Sequence, residues 1–158
     1  MGKIRDIFDI IKYGDSSEYF FLIESYEINV RNVNGASMLH KAIAAKKFDI
    51  ANDLVNRGID VNIMNNEGQS VGHYLSYYPN LQLTEKILEK GLKINIQDRW
   101  GNTPLWYAIY NGKGNYELVE LFIKYGADPE IKNKVGKSSV DFAKDINNKD
   151  LILMLEKY

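Results

Sequence analysis

The sequence repeats itself at a spacing of thirty-three residues, and that spacing constrains the fold more than any local motif does. Gly35, Gly68, Gly101 and Gly136 stand 33, 33 and 35 residues apart, and Gly58, Gly91 and Gly126 stand 33 and 35 apart. Asn29, Asn62 and Asn95 each precede a glycine of the first series by six residues, and Glu130 takes that place before the fourth. Two glycine series locked to one period define a tandem array. A unit this short cannot bury its apolar face alone, so it must stack on its neighbours.

Each unit reads as two helices. Ser37, Ser70, Thr103 and Ser138 stand two residues after the glycines of the first series, where a hydroxyl caps a helix that starts at the next residue. Pro104 falls just inside such a start, where its missing N–H costs nothing. A second helix carries apolar residues four apart, as in Ile50/Leu54, Leu83/Ile87, Leu118/Phe122 and Leu151/Leu155. Gly58, Gly91 and Gly126 then end that helix.

Gly101-Asn-Thr-Pro-Leu105 and Tyr125-Gly-Ala-Asp128 are similar to the strongest consensus stretches of the ankyrin-repeat family, and Gly58-Ile-Asp-Val-Asn62 and Gly91-Leu-Lys-Ile-Asn95 match the second nearly as well. The resemblance implies an all-α solenoid of about five helix–turn–helix units joined by short β-hairpin fingers. The expected division of the single domain 1–158 is an N-terminal cap at 1–31, repeats at 32–64, 65–97 and 98–132, and a C-terminal cap at 133–158. Residues 4–29 resemble a degenerate repeat. Departures from the pattern are Gly72 at a usual core leucine, Pro79 within the helix–helix link, and two extra residues within Gly112-Lys-Gly-Asn115.

Chemistry is sparse by comparison. There is no cysteine, so disulfides, thiol catalysis and cysteine-ligated zinc are excluded together. Twenty Lys+Arg against twenty-one Asp+Glu leave a net charge of −1, without the basic excess of a nucleic-acid binder. The start of the sequence lacks the apolar core of a signal peptide and no run is long enough to span a bilayer, so a cytoplasmic location is expected. No nucleophile elbow, phosphate loop or metalloprotease motif occurs. His40 and His73 occupy one repeat position, which resembles the structural histidine of the family; Trp106 and Asp141 fill that place in the next units. Asp49 and Asp53, four apart on a helix, read as a solvated face. The expectation is a protein without catalysis, metal or cofactor.

The resemblance instead implies binding through finger tips and the exposed side of each first helix. Carried over by alignment, the partner-binding candidates are Tyr77, Tyr78, Arg99, Trp100 and Tyr110 as an aromatic core, with Lys132, Lys134 and Lys137 as a charged rim. Large aromatics and arginine dominate interface energetics. The expected partner is a protein, with neither nucleic acid nor membrane bound directly. Resemblance to small ankyrin-type immunity proteins of bacterial toxin–immunity systems implies a cognate toxin, such as a nuclease, as that partner. The alternative is a host-interaction or scaffolding role in a pathogen. Leu153 points away from the preceding unit, and the 19–23 stretch is apolar on more than one side, so a homodimer through the terminal helices is also expected.

Overall fold

A helix of seven to nine residues does not persist alone in water, so helices this short require tertiary packing. The computed structural model describes residues 6–157; residues 1–5, at the start of the expected N-terminal cap, and residue 158, at the end of the expected C-terminal cap, lie outside them. Among the described residues the order is α1 (Ile7–Tyr13), α2 (Ser16–Leu22), a 3-10 turn (Ile23–Ser25), α3 (Met38–Ala44), α4 (Phe48–Asn56), α5 (Val71–Tyr77), α6 (Leu81–Glu89), α7 (Pro104–Gly112), α8 (Glu117–Lys124), α9 (Ser139–Asp145) and α10 (Lys149–Glu156). The first helices α1, α3, α5, α7 and α9 pack in succession as one layer, and α2, α4, α6 and α8 as a second. The chain is an all-α repeat solenoid, its core running the length of the stack between the two layers.

The expected β-hairpin fingers take a different form. No strand occurs among the described residues, and the nearest approach is an isolated antiparallel bridge between Arg31 and Ser37. Each tip is instead a tight turn closed by side chains: the Oδ1 atoms of Asn32, Asn65, Asp98 and Asn133 each accept from backbone N–H groups two and four residues on. Together with one backbone bond across each finger, Asn32 N to Ala36 O, Asn65 N to Gln69 O, Asp98 N to Asn102 O and Asn133 N to Lys137 O, they close the turn without extending into strands. Successive tips join through single backbone bonds, Asn66 N to Asn34 O, Arg99 N to Glu67 O and Lys134 N to Trp100 O, at 2.8–3.0 Å. Gly101 shows why a glycine stands there. Its φ is +80°, and an added Cβ would come within 2.8 Å of the Lys134 nitrogen that makes the next bond.

The asparagine series serves the other end of each unit. Asn29, Asn62 and Asn95 accept through Oδ1 from the backbone N–H of Asp60, Lys93 and Asp128 in the following unit. Asn62 and Asn95 also donate to the carbonyls of Gly91 and Gly126. The side chain therefore needs both an acceptor and a donor, which an amide supplies and a carboxylate does not.

The reading of Asp49 and Asp53 as a solvated face holds for the exposed Asp49 and is corrected for Asp53. Asp53 accepts from the buried Tyr19 hydroxyl at 2.8 Å and from Arg57 Nε at 2.6 Å, and Asp49 accepts from Ser16. Arg57 also pairs with Glu24. These contacts clamp α2 and the turn after it onto α4, and Tyr19, fully buried, needs Asp53 as its acceptor.

Gly72 marks the tightest joint. A Cβ there would lie 3.0 Å from Pro104 Cγ and 3.3 Å from Leu92 Cδ2, so the absent side chain lets α5 and α7 approach closely. Ser76 exploits the approach by donating to both Gly72 O and Pro104 O. Restoring the family's leucine with Gly72→Leu should therefore destabilise the protein by roughly 1–3 kcal/mol through overpacking. Leu105→Ala, at a fully buried position of α7, should cost about 2–5 kcal/mol. Urea unfolding measures both, and an unchanged midpoint for either would contradict the packing described.

Candidate partner-binding site

The site takes its shape from what happens at one repeat position along the first helices. His40 and His73 are buried at the third residue of α3 and α5, and each bridges two units. The Nδ1 atoms face the backbone N–H of Ser37 (3.3 Å) and Ser70 (3.0 Å) and must accept there. The proton therefore sits on Nε2, which donates to the carbonyls of Gln69 (3.2 Å) and Asn102 (3.0 Å) in the next finger. Tyr74 and Tyr107 pack edge-on against these rings at 4.9 and 5.8 Å. Burial pushes His40 down to about 4, and burial likewise lowers His73.

Asp141 does the capping half of that work in α9: it accepts from Ser138 N at 2.9 Å while Ser138 Oγ accepts from Asp141 N. Trp106, at the same place in α7, does not. Its backbone N–H is capped by Thr103, but its indole Nε1 makes no hydrogen bond among the described residues. The ring is half-buried with Nε1 itself shielded from solvent; it stacks on Tyr110 with centroids 5.3 Å apart and planes 11° apart, and meets Phe142 at 5.6 Å. Tyr107 lies edge-on to it at 5.4 Å, and Tyr77 meets Tyr107 at 5.2 Å. A run of aromatic rings thus crosses from α5 through α7 to α9.

Tyr77, Trp106 and Tyr107 of that run line a groove of about 440 Å³ together with Trp100, Lys134 and Val135 of the finger tips. Trp100 is 46% exposed, Tyr77 42% and Tyr110 58%. The guanidinium of Arg99 lies 4.4 Å from the Trp100 ring centre and pairs with Glu67, so the tip is held from two sides. The model match that names this architecture is explicit: a family model described as ankyrin repeats (3 copies) covers residues 8–98 and 39–133. The chain belongs to the ankyrin-repeat family. A protein of Rickettsia bellii (strain RML369-C), whose name describes it as an ankyrin repeat protein, is 35% identical over 57 residues, covering 36% of this chain. The chain matches 33% of that relative's length. Ankyrin repeats generally mediate protein–protein interaction.

Within this ankyrin stack the partner-binding candidates fall in three places. Tyr77 and Trp100 share the groove with Lys134, and Tyr110 adjoins it through Trp106. Tyr78 is half-buried against the core, with the Lys46 ammonium 5.9 Å from its ring centre. Lys132 sits beyond the groove on the fourth finger, its carbonyl accepting from Gln97, and Lys137 is tied to Asp145 at 2.7 Å. Sequence reasoning passed over Trp106, Tyr107 and Phe142. The available signal was the tryptophan at the histidine position, four residues before Tyr110 and so on the same helix face.

The two imidazoles set an acid limit. An unfolded chain binds a proton at about the ordinary imidazole pKa of 6.5, whereas folded His40 resists it down to about 4. Stability is complete above that ordinary value and falls as pH drops through the interval. From pH 6.5 to pH 5, above most carboxylate titration, His40 should remove about 2 kcal/mol of unfolding free energy. His73 adds to the loss in the same direction. Urea midpoints measured across that interval test this, with His40→Gln losing its share of the slope. A flat profile would contradict the buried neutral rings.

Proposed function

We propose that this protein is a non-enzymatic binding module that holds a protein partner in the groove between its third and fourth fingers and α5 and α7. The observation that carries the reading is Trp106. It gives up the inter-unit bond that its counterparts His40 and His73 make, and it supplies an aromatic surface contiguous with Trp100 and Tyr77. Both nitrogens of each histidine are already engaged in capping and bridging, which leaves no free imidazole for acid–base work.

The rings are held before any partner arrives, so little side-chain entropy remains to be lost on association. Trp100, fixed by Arg99 and by Lys134 N donating to its carbonyl, is the anchor. Lys132, Lys134 and Lys137 would steer an acidic partner, with Lys134 contributing most because Lys137 spends its charge on Asp145. Neutralisation of a toxin in a bacterial cytoplasm is one finer form of this function, and engagement of a host protein by a pathogen is the other.

The experiment is capture from the native cell followed by binding kinetics with purified partner. Trp100→Ala and Tyr110→Ala, both at exposed rings, should leave folding intact and raise the dissociation rate by about tenfold or more. Neutralising the three lysines should lower the association rate and flatten its salt dependence. If the partner is a toxin, the Trp100 variant should protect cells poorly. A folded Trp100→Ala protein with full affinity would place the interface elsewhere.

A further inference from the structure

The back layer loses its regularity at its last joint. α4 packs on α2, α6 on α4 and α8 on α6, whereas α10 packs on α9 without comparable backbone contact to α8. α8 and α10 are tied where they begin, by Asn148 Nδ2 donating to Tyr116 Oη at 2.9 Å. A groove of about 900 Å³ opens between them and α6. Its floor is apolar, with Leu81, Leu121 and Met154, and Leu153 stands in it 67% exposed because helical phase buries Leu151 and Leu155 instead.

The rim is acidic. Lys124 neutralises Glu85 at 3.0 Å, but the carboxylates of Glu117, Glu120 and Asp150 make no ion pair among the described residues, and Lys157 is the cation facing them. All three lie in the first turns of α8 and α10, where helix dipoles tolerate negative charge. Their charge therefore remains available to a ligand.

We propose that this groove docks a basic amphipathic segment of a protein partner, whose apolar side chains cover Leu153 and whose lysines or arginines meet Glu117, Glu120 and Asp150. Charge decides between occupants. A second copy joined through the same face by two-fold symmetry would set these carboxylates against their own counterparts. An anionic lipid surface is repelled for the same reason. The site lies behind the stack and is independent of the front groove, so failure of the front-groove reading leaves it standing.

The probe is a fluorescein-labelled peptide of about fourteen residues, built of Leu and Lys at helical spacing, with a Leu/Glu counterpart of the same pattern. Anisotropy should show the Leu/Lys peptide binding and the Leu/Glu peptide not. Leu153→Asp should weaken binding by about tenfold or more, the loss expected on removing one buried leucine. Glu117→Gln, Glu120→Gln and Asp150→Asn together should weaken it and reduce its dependence on salt, while Trp100→Ala should leave it unchanged. Thermal melts establish that each variant is folded, and the carboxylate variant, altered only at exposed positions, decides the matter if Leu153→Asp is not. Equal binding of the Leu/Glu peptide, undiminished binding by either folded back-face variant, or loss of binding in Trp100→Ala would overturn the proposal. So would a dimer in sedimentation that Leu153→Asp dissolves, since a second copy would then fill the groove.

Discussion

A neutral imidazole reaching from one unit to a backbone carbonyl of the next is the bond on which this stack depends. His40 and His73 each reach a carbonyl 29 residues further along, at Gln69 and Asn102, from fully buried positions. Three conditions must hold together: Nδ1 must accept from the cap residue, Nε2 must keep the proton, and water must be absent. Removing the ring would leave a buried donor at the cap and a deprived carbonyl in the finger, which costs more than the bond's net worth. The asparagine series and the tip-to-tip backbone bonds repeat at the same interval. Register is thereby fixed at three heights along each unit, and a rigid surface follows.

The fourth unit departs from that rule, and its departure bears on function. The carbonyl equivalent to Gln69 and Asn102 is that of Lys137, one residue after Gly136, and Trp106 does not reach it. Asn133 Nδ2 donating to Asn102 Oδ1 at 2.8 Å ties the fourth finger to the third instead, beside the tip-to-tip backbone bond that the other joints also have. With the link transferred to those groups, residue 106 is released to present a large ring beside Tyr110 and Phe142. A stack held by several redundant links can give up one of them for surface chemistry, whereas a single-link joint cannot.

How much of this was legible in the sequence follows from which interactions repeat. The two glycine series, the capping hydroxyls and Asn29, Asn62 and Asn95 were visible because one physical demand recurs at every joint. The turn-closing residues Asn32, Asn65, Asp98 and Asn133 recur as faithfully, three residues before each glycine, though their mixture of Asn and Asp conceals the common Oδ1 acceptor. What occurs once was not legible. Asp53 looks like any surface carboxylate until Tyr19 from another unit is brought within 2.8 Å of it. Tyr78 and Tyr77 are neighbours in sequence, yet Pro79 ends α5 between exposed and half-buried positions and separates their roles. The stand-off of α10 from α8 depends on packing across units, which a period cannot encode.

Nuclear magnetic resonance of the two imidazoles tests the central bond most directly. At neutral pH, nitrogen shifts of His40 and His73 should show protonated Nε2 and bare Nδ1 in both rings. Scalar coupling across the hydrogen bond should join each Nε2 to the carbonyl carbon of Gln69 or Asn102. Averaged tautomers, a proton on Nδ1, or the absence of coupling in both rings would contradict the account.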